Sequence, residues 1–357
     1  MTTASQPCAL IMAGGTGGHI FPGLAVAEGL RTRGWRVHWL GSARGMESRL
    51  VPSRGFVLEP VDFSGVRGKG VKTLLLLPWR LLRACAQSVS VLRRVRPDVV
   101  LGLGGYISFP GGLMAALLRK PLVLHEQNSV AGMANRVLAR LATRVFEAFP
   151  GALPQAQCIG NPLRAEFLQQ ETPQQRFAQR SGPLRLLVVG GSLGASALNR
   201  VVPQALSQLE SDLRPQVLHQ SGQAHIEELR QNYAAAGVSA SLTEFIDDAA
   251  PAYARADLII CRAGASTVTE IAAIGAAALF VPFPAAVDDH QTHNARFLVD
   301  QGGGWLMPQS TFTPAILSQW LRGLDRVALL ERASRAKALE QTHATDHLLA
   351  VCEELAS

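Results

Sequence analysis

Three glycine-rich turns mark where this chain could handle phosphates or sugars. They read Gly14-Gly15-Thr16-Gly17-Gly18-His19, Gly102-Leu103-Gly104-Gly105-Tyr106 and Gly190-Gly191-Ser192-Leu193-Gly194-Ala195. Each follows an apolar run. A glycine turn entering a helix aims backbone N–H groups and the positive helix end at an anion. The same turn can also serve tightness alone. His19 stands where the first helix should begin. Imidazole titrates near neutral pH, and a helix N-terminus would lower its pKa and keep the ring neutral, as a general base requires. Capping or packing at the helix start is the alternative role.

The spacing excludes several phosphate chemistries. No turn continues as G-K-[ST], so a Walker-type nucleotidase is excluded. The strand after the first turn ends Gly41-Ser42-Ala43-Arg44, with no acid for an NAD ribose, although Ser42 and Arg44 leave an NADP reductase open. No Asp-x-Asp occurs, which argues against a carboxylate-held metal on a nucleotide diphosphate. We therefore expect no metal and no cofactor. Backbone N–H groups, a helix N-terminus and an Arg would neutralise leaving phosphates instead. His290 and His293 have a possible ligand spacing but lack a third ligand. His343 and His347 read as a solvated helix face.

The elements that must hold these turns alternate short apolar runs with helical spacing. Strands are predicted at Cys8–Ala13, Val37–Leu40, Asp98–Leu101, Leu122–Leu124 and Arg144–Phe146, with helices at Pro22–Arg33 and Leu81–Arg94. The pattern then restarts. Strands follow at Leu184–Val189, Gln216–His219, Leu258–Cys261, Ala278–Val281 and Gly304–Leu306, with helices at Gln204–Glu210, Ala224–Ala235, Thr267–Ile274 and Gln291–Asp300. A repeated strand–glycine turn–helix opening predicts two Rossmann-like α/β domains with parallel sheets facing a central cleft, joined near Pro150–Arg164.

The 357 residues suit two domains of about 150 residues. The hydrophobic share of 48% and charged share of 17% exclude a disordered chain. The net charge of +7 divides into +12 over residues 1–163 and −5 over residues 164–357, which points the first half toward an anionic partner. A basic nucleic-acid-binding protein is one reading of that half, but aromatics make up only 6% and do not interleave with the cations. Five cysteines without a C-x-x-C pair read as reduced, buried thiols. The polar Met1–Pro7 segment gives no sign of a secretory leader. The apolar stretch between Glu270 and Asp288, broken by Gly275, Pro282 and Pro284, reads as a buried helix and strand rather than a membrane span. Leu74–Leu77, Trp79 and Leu81–Leu82 are flanked by Arg67, Lys69, Lys72, Arg80 and Arg83. That is the composition of a peripheral membrane contact, or of a helix face packed on the sheet.

Six motifs occur in order: Gly14–Gly23, Gly104-Gly105-Tyr106, His125-Glu126-Gln127-Asn128, Gly160-Asn161-Pro162-Leu163-Arg164, Gly190–Ala195 and Arg262–Thr267. On these the chain resembles the MurG family of peptidoglycan N-acetylglucosaminyltransferases, from near Cys8 to the C-terminus. The resemblance implies a GT-B fold and inverting transfer of N-acetylglucosamine (GlcNAc) from UDP-GlcNAc to lipid I, undecaprenyl-pyrophosphoryl-MurNAc-pentapeptide, giving lipid II. A UDP-sugar epimerase or NADP reductase of similar architecture is the enzyme alternative. The resemblance also implies a first domain at 1–163 that binds acceptor and membrane, with a 340–357 helix folded back on it, and a UDP-GlcNAc domain at 164–339. Moving that helix changes the charge split to +8 and −1.

By resemblance, His19 is the base. Thr16, Gly17, Gly18, Asn128, Arg164, Ser192, Ile246, Ala265, Ser266, Thr267, Val268, Thr269, Glu270 and Gln291 meet the donor. Gly14, Gly15, Gly104, Gly105 and Tyr106 meet the acceptor. Lys72, Leu75, Leu76, Trp79 and Arg80 meet an anionic membrane. Glu270 would accept from the ribose, yet Thr267-Val268-Thr269-Glu270 also spells a capping box that needs no ligand. Where many family members carry His, this chain has Ala285. The implied setting is the cytoplasmic face of the cell inner membrane, among cell-wall synthesis and division proteins.

Overall fold

Alternate residues of the first apolar run go to opposite sides of a sheet. Ala9 and Ile11 join one buried cluster, while Cys8, Leu10 and Met12 join another. A strand covered on both faces has no polar side, which is why these runs read as continuously apolar. The computed structural model describes residues 6–63, 65, 75–191 and 194–357, with only the backbone of Val287.

The chain forms two units, Met1–Arg164 with Thr342–Ser357, and Ala165–Gln341. The first carries a seven-stranded parallel sheet in the order β3-β2-β1-β4-β5-β6-β7. Its strands are β1 (Cys8–Met12), β2 (Arg36–Gly41), β3 (Val57–Pro60), β4 (Val99–Gly102), β5 (Leu122–Glu126), β6 (Arg144–Glu147) and β7 (Gln157–Cys158). Met12 pairs with Gly102, so β1 and β4 end side by side. The strand order reverses direction between them, and ligands of such sheets bind beyond the strand ends at that switch point.

The second unit repeats the plan with the order β10-β9-β8-β11-β12-β13. Its strands are β8 (Arg185–Val189), β9 (Gln216–Gln220), β10 (Ser241–Thr243), β11 (Leu258–Cys261), β12 (Ala278–Phe280) and β13 (Trp305–Leu306). The switch point lies between β8 and β11, which pair Val189 with Cys261. Leu186, Val188, Leu258, Ile260 and Leu279 pack there on Leu198, Val202 and Leu229.

Several helices differ from the sequence reading. Helix α1 runs Gly17–Thr32, starting five residues before the predicted Pro22. Pro22 lies inside the helix, where its missing N–H forfeits only one helical bond. The predicted Gln204–Glu210 helix is Ser196–Ser207, with Pro203 inside it. The Leu81–Arg94 helix begins earlier, at Leu77. Helix α2 (Glu47–Ser53) and the short strands β3, β7 and β10 carried too little periodicity to be foreseen. All five cysteines are free, but Cys85 and Cys158 are only half-buried.

The C-terminal helix Ala344–Ala356 belongs to the first unit. Leu348, Leu349, Val351 and Cys352 enter the core that holds α1. A Cβ on Gly29 of α1 would stand 2.7 Å from Leu349, so glycine permits the close approach. Arg33–Glu353 and Arg144–Glu354 pairs at 2.9 and 2.8 Å fringe the contact.

Candidate active site

The first site is built on the loops after β1, β4 and β5. Gly105, at φ +83°, lies so close to the first glycine turn that a Cβ there would strike the Gly14 carbonyl. The two turns therefore interlock backbone to backbone. His19 falls in the first turn of α1, half-buried, with Nδ1 3.3 Å from Thr16 Oγ1. Gly17 and Gly18 open the same helix, where the first N–H groups have no partner within the helix.

Gly15 donates its N–H to Glu47 Oε2 at 3.2 Å, and Ser42 donates to Glu47 Oε1 at 2.9 Å. A Cβ on Gly14 would meet the same carboxyl at 2.6 Å. Gly15, expected at the acceptor, gives its N–H to this buried glutamate. Glu47 lies 32 residues away along the chain, and no local spacing announces it.

The loop after β5 is organised by Glu126. Its buried carboxyl accepts from the Asn128 N–H at 2.9 Å, the Asn135 amide at 2.8 Å and the Gly132 N–H at 3.2 Å. Burial raises its pKa against these bonds. Asn128, half-buried, is thus held by its own backbone. His125 is buried, and desolvation lowers its pKa to about 4, so the ring is neutral at pH 7. Arg164, expected to open the second domain, closes the first unit, its guanidinium 5.3 Å from the Phe21 ring centre. Tyr106 is exposed.

The second site is built on the loops after β8, β9, β11 and β12. Gln220 clamps the Gly190–Gly191 turn, accepting from the Gly191 N–H at 3.1 Å and donating to its carbonyl at 3.1 Å and to that of Glu244 at 2.9 Å. Ser192 lies outside the described residues. Behind the turn, Asn199 donates to the Ser221 carbonyl at 3.2 Å. That leaves Asn199 Oδ1 to accept from His219 Nε2 at 3.1 Å, while His219 Nδ1 accepts from the Tyr233 hydroxyl at 3.0 Å. Burial lowers His219 to about 3, which keeps it neutral.

The helix after β11 spans Ala265–Ile274, and its N-cap, Gly264, provides no side-chain cap. Thr267 is therefore inside the helix and cannot cap it, so the capping-box reading of Thr267–Glu270 fails. Ala265, Ser266 and Thr267 form the first turn, whose N–H groups receive no side-chain cap from Gly264. Val268 and Thr269 are buried, and Thr269 donates to the Ala265 carbonyl at 3.0 Å. Those two can reach a ligand only through backbone. Glu270 is half-buried one turn further on, and Ile246 is half-buried beyond β10. Gln291 Oε1 accepts from the Phe283 N–H at 2.9 Å and the Ala263 N–H at 3.3 Å. Its carbonyl end is thus committed to backbone. Among the described residues, no three His, Cys, Asp or Glu side chains gather as metal ligands would.

On the membrane-type segment, Leu75, Leu76, Trp79 and Leu82 are 76%, 50%, 69% and 65% exposed. Lys72 lies outside the described residues. Ser42, Arg44, Asp62, Phe63, Trp79, Arg80 and Arg83 line a cavity of about 580 Å³, with Arg83 paired to Asp62 at 2.9 Å. Among the described residues, no helix is long and apolar enough to cross a membrane.

Two parallel sheets, each with a glycine turn at its switch point, define the class. The chain belongs to glycosyltransferase family 28: the family's N-terminal domain matches residues 9–147 and its C-terminal domain residues 185–348. It is 67% identical, over 97% of its length and 98% of the relative's, to the UDP-N-acetylglucosamine–N-acetylmuramyl-(pentapeptide) pyrophosphoryl-undecaprenol N-acetylglucosamine transferase of Paracidovorax citrulli. The protein of that name from Polaromonas naphthalenivorans is also 67% identical, over 98% of this chain and 99% of the relative. The crystal structure of Acinetobacter baumannii MurG superposes with a TM-score of 0.84 at 42% identity, covering 98% of this chain and 99% of that one.

Proposed function

We propose that this chain moves GlcNAc from UDP-GlcNAc to the C4 hydroxyl of MurNAc in lipid I, with inversion at the sugar C1, and so makes lipid II. The observation that carries this is likeness along the whole chain, through both domains, to relatives named for that reaction. The residues supply the parts such a transfer needs. His19 takes the proton of the acceptor hydroxyl as its oxygen bonds to C1. The C1–oxygen bond to UDP breaks, and the electron pair leaves on the β-phosphate. The uncapped N-terminus at Ala265–Thr267, with Arg164 and the Ser192 turn, receives that charge. Glu270 accepts from the ribose hydroxyls, Ile246 meets uracil through its backbone, and Asn128 and the Gln291 NH2 orient the sugar. Thr16, Gly17 and Gly18 meet the donor, and Gly14, Gly15, Gly104, Gly105 and Tyr106 bound the acceptor.

The finer setting follows from the exposed segment. Leu75, Leu76, Trp79 and Leu82 offer apolar surface, and Arg44, Arg80 and Arg83 offer cations to lipid phosphates. This supports peripheral attachment to an anionic membrane; its placement at the cytoplasmic face of the inner membrane, among cell-wall synthesis and division proteins, rests on the family resemblance alone. The decisive experiment incubates the full chain with radiolabelled UDP-GlcNAc and a lipid I analogue. Labelled disaccharide is the expected product; its absence with folded protein overturns the assignment. Vesicle binding that needs anionic lipid and weakens in Trp79→Ala checks the attachment.

A further inference from the structure

We propose that Gln127 is a positioning residue for His19: its buried side-chain carbonyl is the acceptor that the His19 Nε2–H meets as the base works, which leaves the basic lone pair on Nδ1. This rests on the reading of His19 as the base.

Gln127 follows β5 and is 1% exposed. Its amide group donates to the His125 carbonyl at 3.0 Å and sits 3.1 Å from His125 Nδ1. A carbonyl cannot donate, so the bond to the His125 carbonyl identifies the NH2 end, and Oε1 occupies the other side. That Oε1 is buried and has no hydrogen-bond partner among the described residues. A buried acceptor is costly until a donor meets it.

Gly104 shows where Oε1 faces. This residue has φ +90°, and a Cβ built on it would lie 3.1 Å from His19 Nε2 and 3.3 Å from Gln127 Oε1. Both atoms flank the place of one missing side chain. A carbonyl oxygen only accepts, so it opposes an Nε2 lone pair and favours Nε2–H. Thr16 Oγ1, beside Nδ1, is a hydroxyl that both donates and accepts, so it tolerates the tautomer that Gln127 selects. When Nδ1 takes the acceptor proton, the Nε2–H bond becomes charge-assisted and strengthens as the ring becomes cationic. Gln127 is itself locked from behind. Its NH2 donates to His125 Nδ1, so His125 Nε2–H donates to the Gly160 carbonyl at 2.8 Å. The two bonds already made run one way, from Gln127 to His125 and from His125 to Gly160, and leave Oε1 as the open acceptor at the His19 end.

The other ionisable groups around this turn are Glu47 of α2, Tyr106 after β4, His125 and Glu126 of β5, and Arg164 over Phe21. Substitution at Gln127 removes none of these side chains, though it takes a donor from His125. The test uses the full chain with UDP-GlcNAc and a lipid I analogue, and three variants. Gln127→Met keeps the bulk and loses the acceptor; kcat should fall on the order of 10- to 100-fold with KM for UDP-GlcNAc unchanged. Gln127→Glu places a negative charge at Nε2 and should raise the acid limb of the kcat/KM profile by about one pH unit or more. Nitrogen-15 shifts of labelled His19 should show the Nε2–H tautomer in the native chain and a mixture in Gln127→Met. A native kcat in Gln127→Met, an unmoved acid limb in Gln127→Glu, or an Nδ1–H tautomer in the native chain overturns the proposal. His19→Ala separates the two readings. Full turnover there removes the base assignment itself, whereas lost turnover with an unmoved Gln127→Glu profile overturns this inference alone.

Discussion

Glu47 and Glu270 show how differently two glutamates beside glycine turns can act. Glu47 accepts from the Gly15 and Ser42 N–H groups and fills the space a side chain at Gly14 would need. Glu47→Ala should lower folding stability by at least about 1 kcal/mol, since it strands two backbone donors. Urea denaturation reads this, and a midpoint within error of the native chain would show that water replaces the carboxyl. Glu270 sits past the first turn of a helix that begins at Ala265, so it caps nothing. Glu270→Ala should weaken UDP binding in calorimetry while costing less than about 1 kcal/mol of stability. A large loss of stability with unchanged UDP affinity would make Glu270 a structural residue.

The elements meet their sites through close backbone approach and buried neutral histidines. Gly105→Ala would force a methyl against the Gly14 carbonyl at a positive φ, so both glycine turns should shift together. The expected outcome is loss of turnover with UDP affinity retained, because the second unit is untouched; weakened UDP binding would contradict it. His125 and His219 make stability depend on pH. The unfolded chain takes up their protons near pH 6.5, whereas the folded chain resists until about 4 and 3. Stability is therefore full above pH 6.5 and falls as pH drops toward 4, by up to about 1.4 kcal/mol per pH unit for each histidine. Glu126, raised by burial, works in the opposite sense and flattens the acid end. Thermal melts across pH 4–7.5 should show the slope, and His219→Asn should reduce it.

At the scale of the whole molecule, the last helix is a piece of the first unit supplied from beyond the second. It leaves the first unit with 20 Lys and Arg against 10 Asp and Glu, and the second with 14 against 17. The basic excess thus belongs to the unit with the exposed Leu75, Leu76 and Trp79. Truncation before Ala344 would bare the surface that Leu348, Leu349, Val351 and Cys352 cover. We expect the first unit to melt separately and earlier, with UDP still bound by the second. A single unchanged transition would refute this.

The sequence by itself determined the repeated α/β plan, the glycine turns, His19 at the head of a helix, and the family. Each of these is local: strand periodicity, turn composition and motif order can be read along the chain. Only the tertiary structure decided which donors and acceptors those turns meet. Glu47 reaches Gly15 across 32 residues, and Gln220 reaches Gly191 across 29. Gln127 was visible as a letter in His125-Glu126-Gln127-Asn128, but its partnerless Oε1 near His19 exists only once β1, β4 and β5 lie side by side. Even the capping box of Thr267–Glu270 was a correct pattern in the wrong place, because the helix starts at Ala265. The physical reason is common to all of them. Hydrogen-bond satisfaction of a buried group is settled by what packs against it in space, and parallel strands bring together residues that are far apart in sequence.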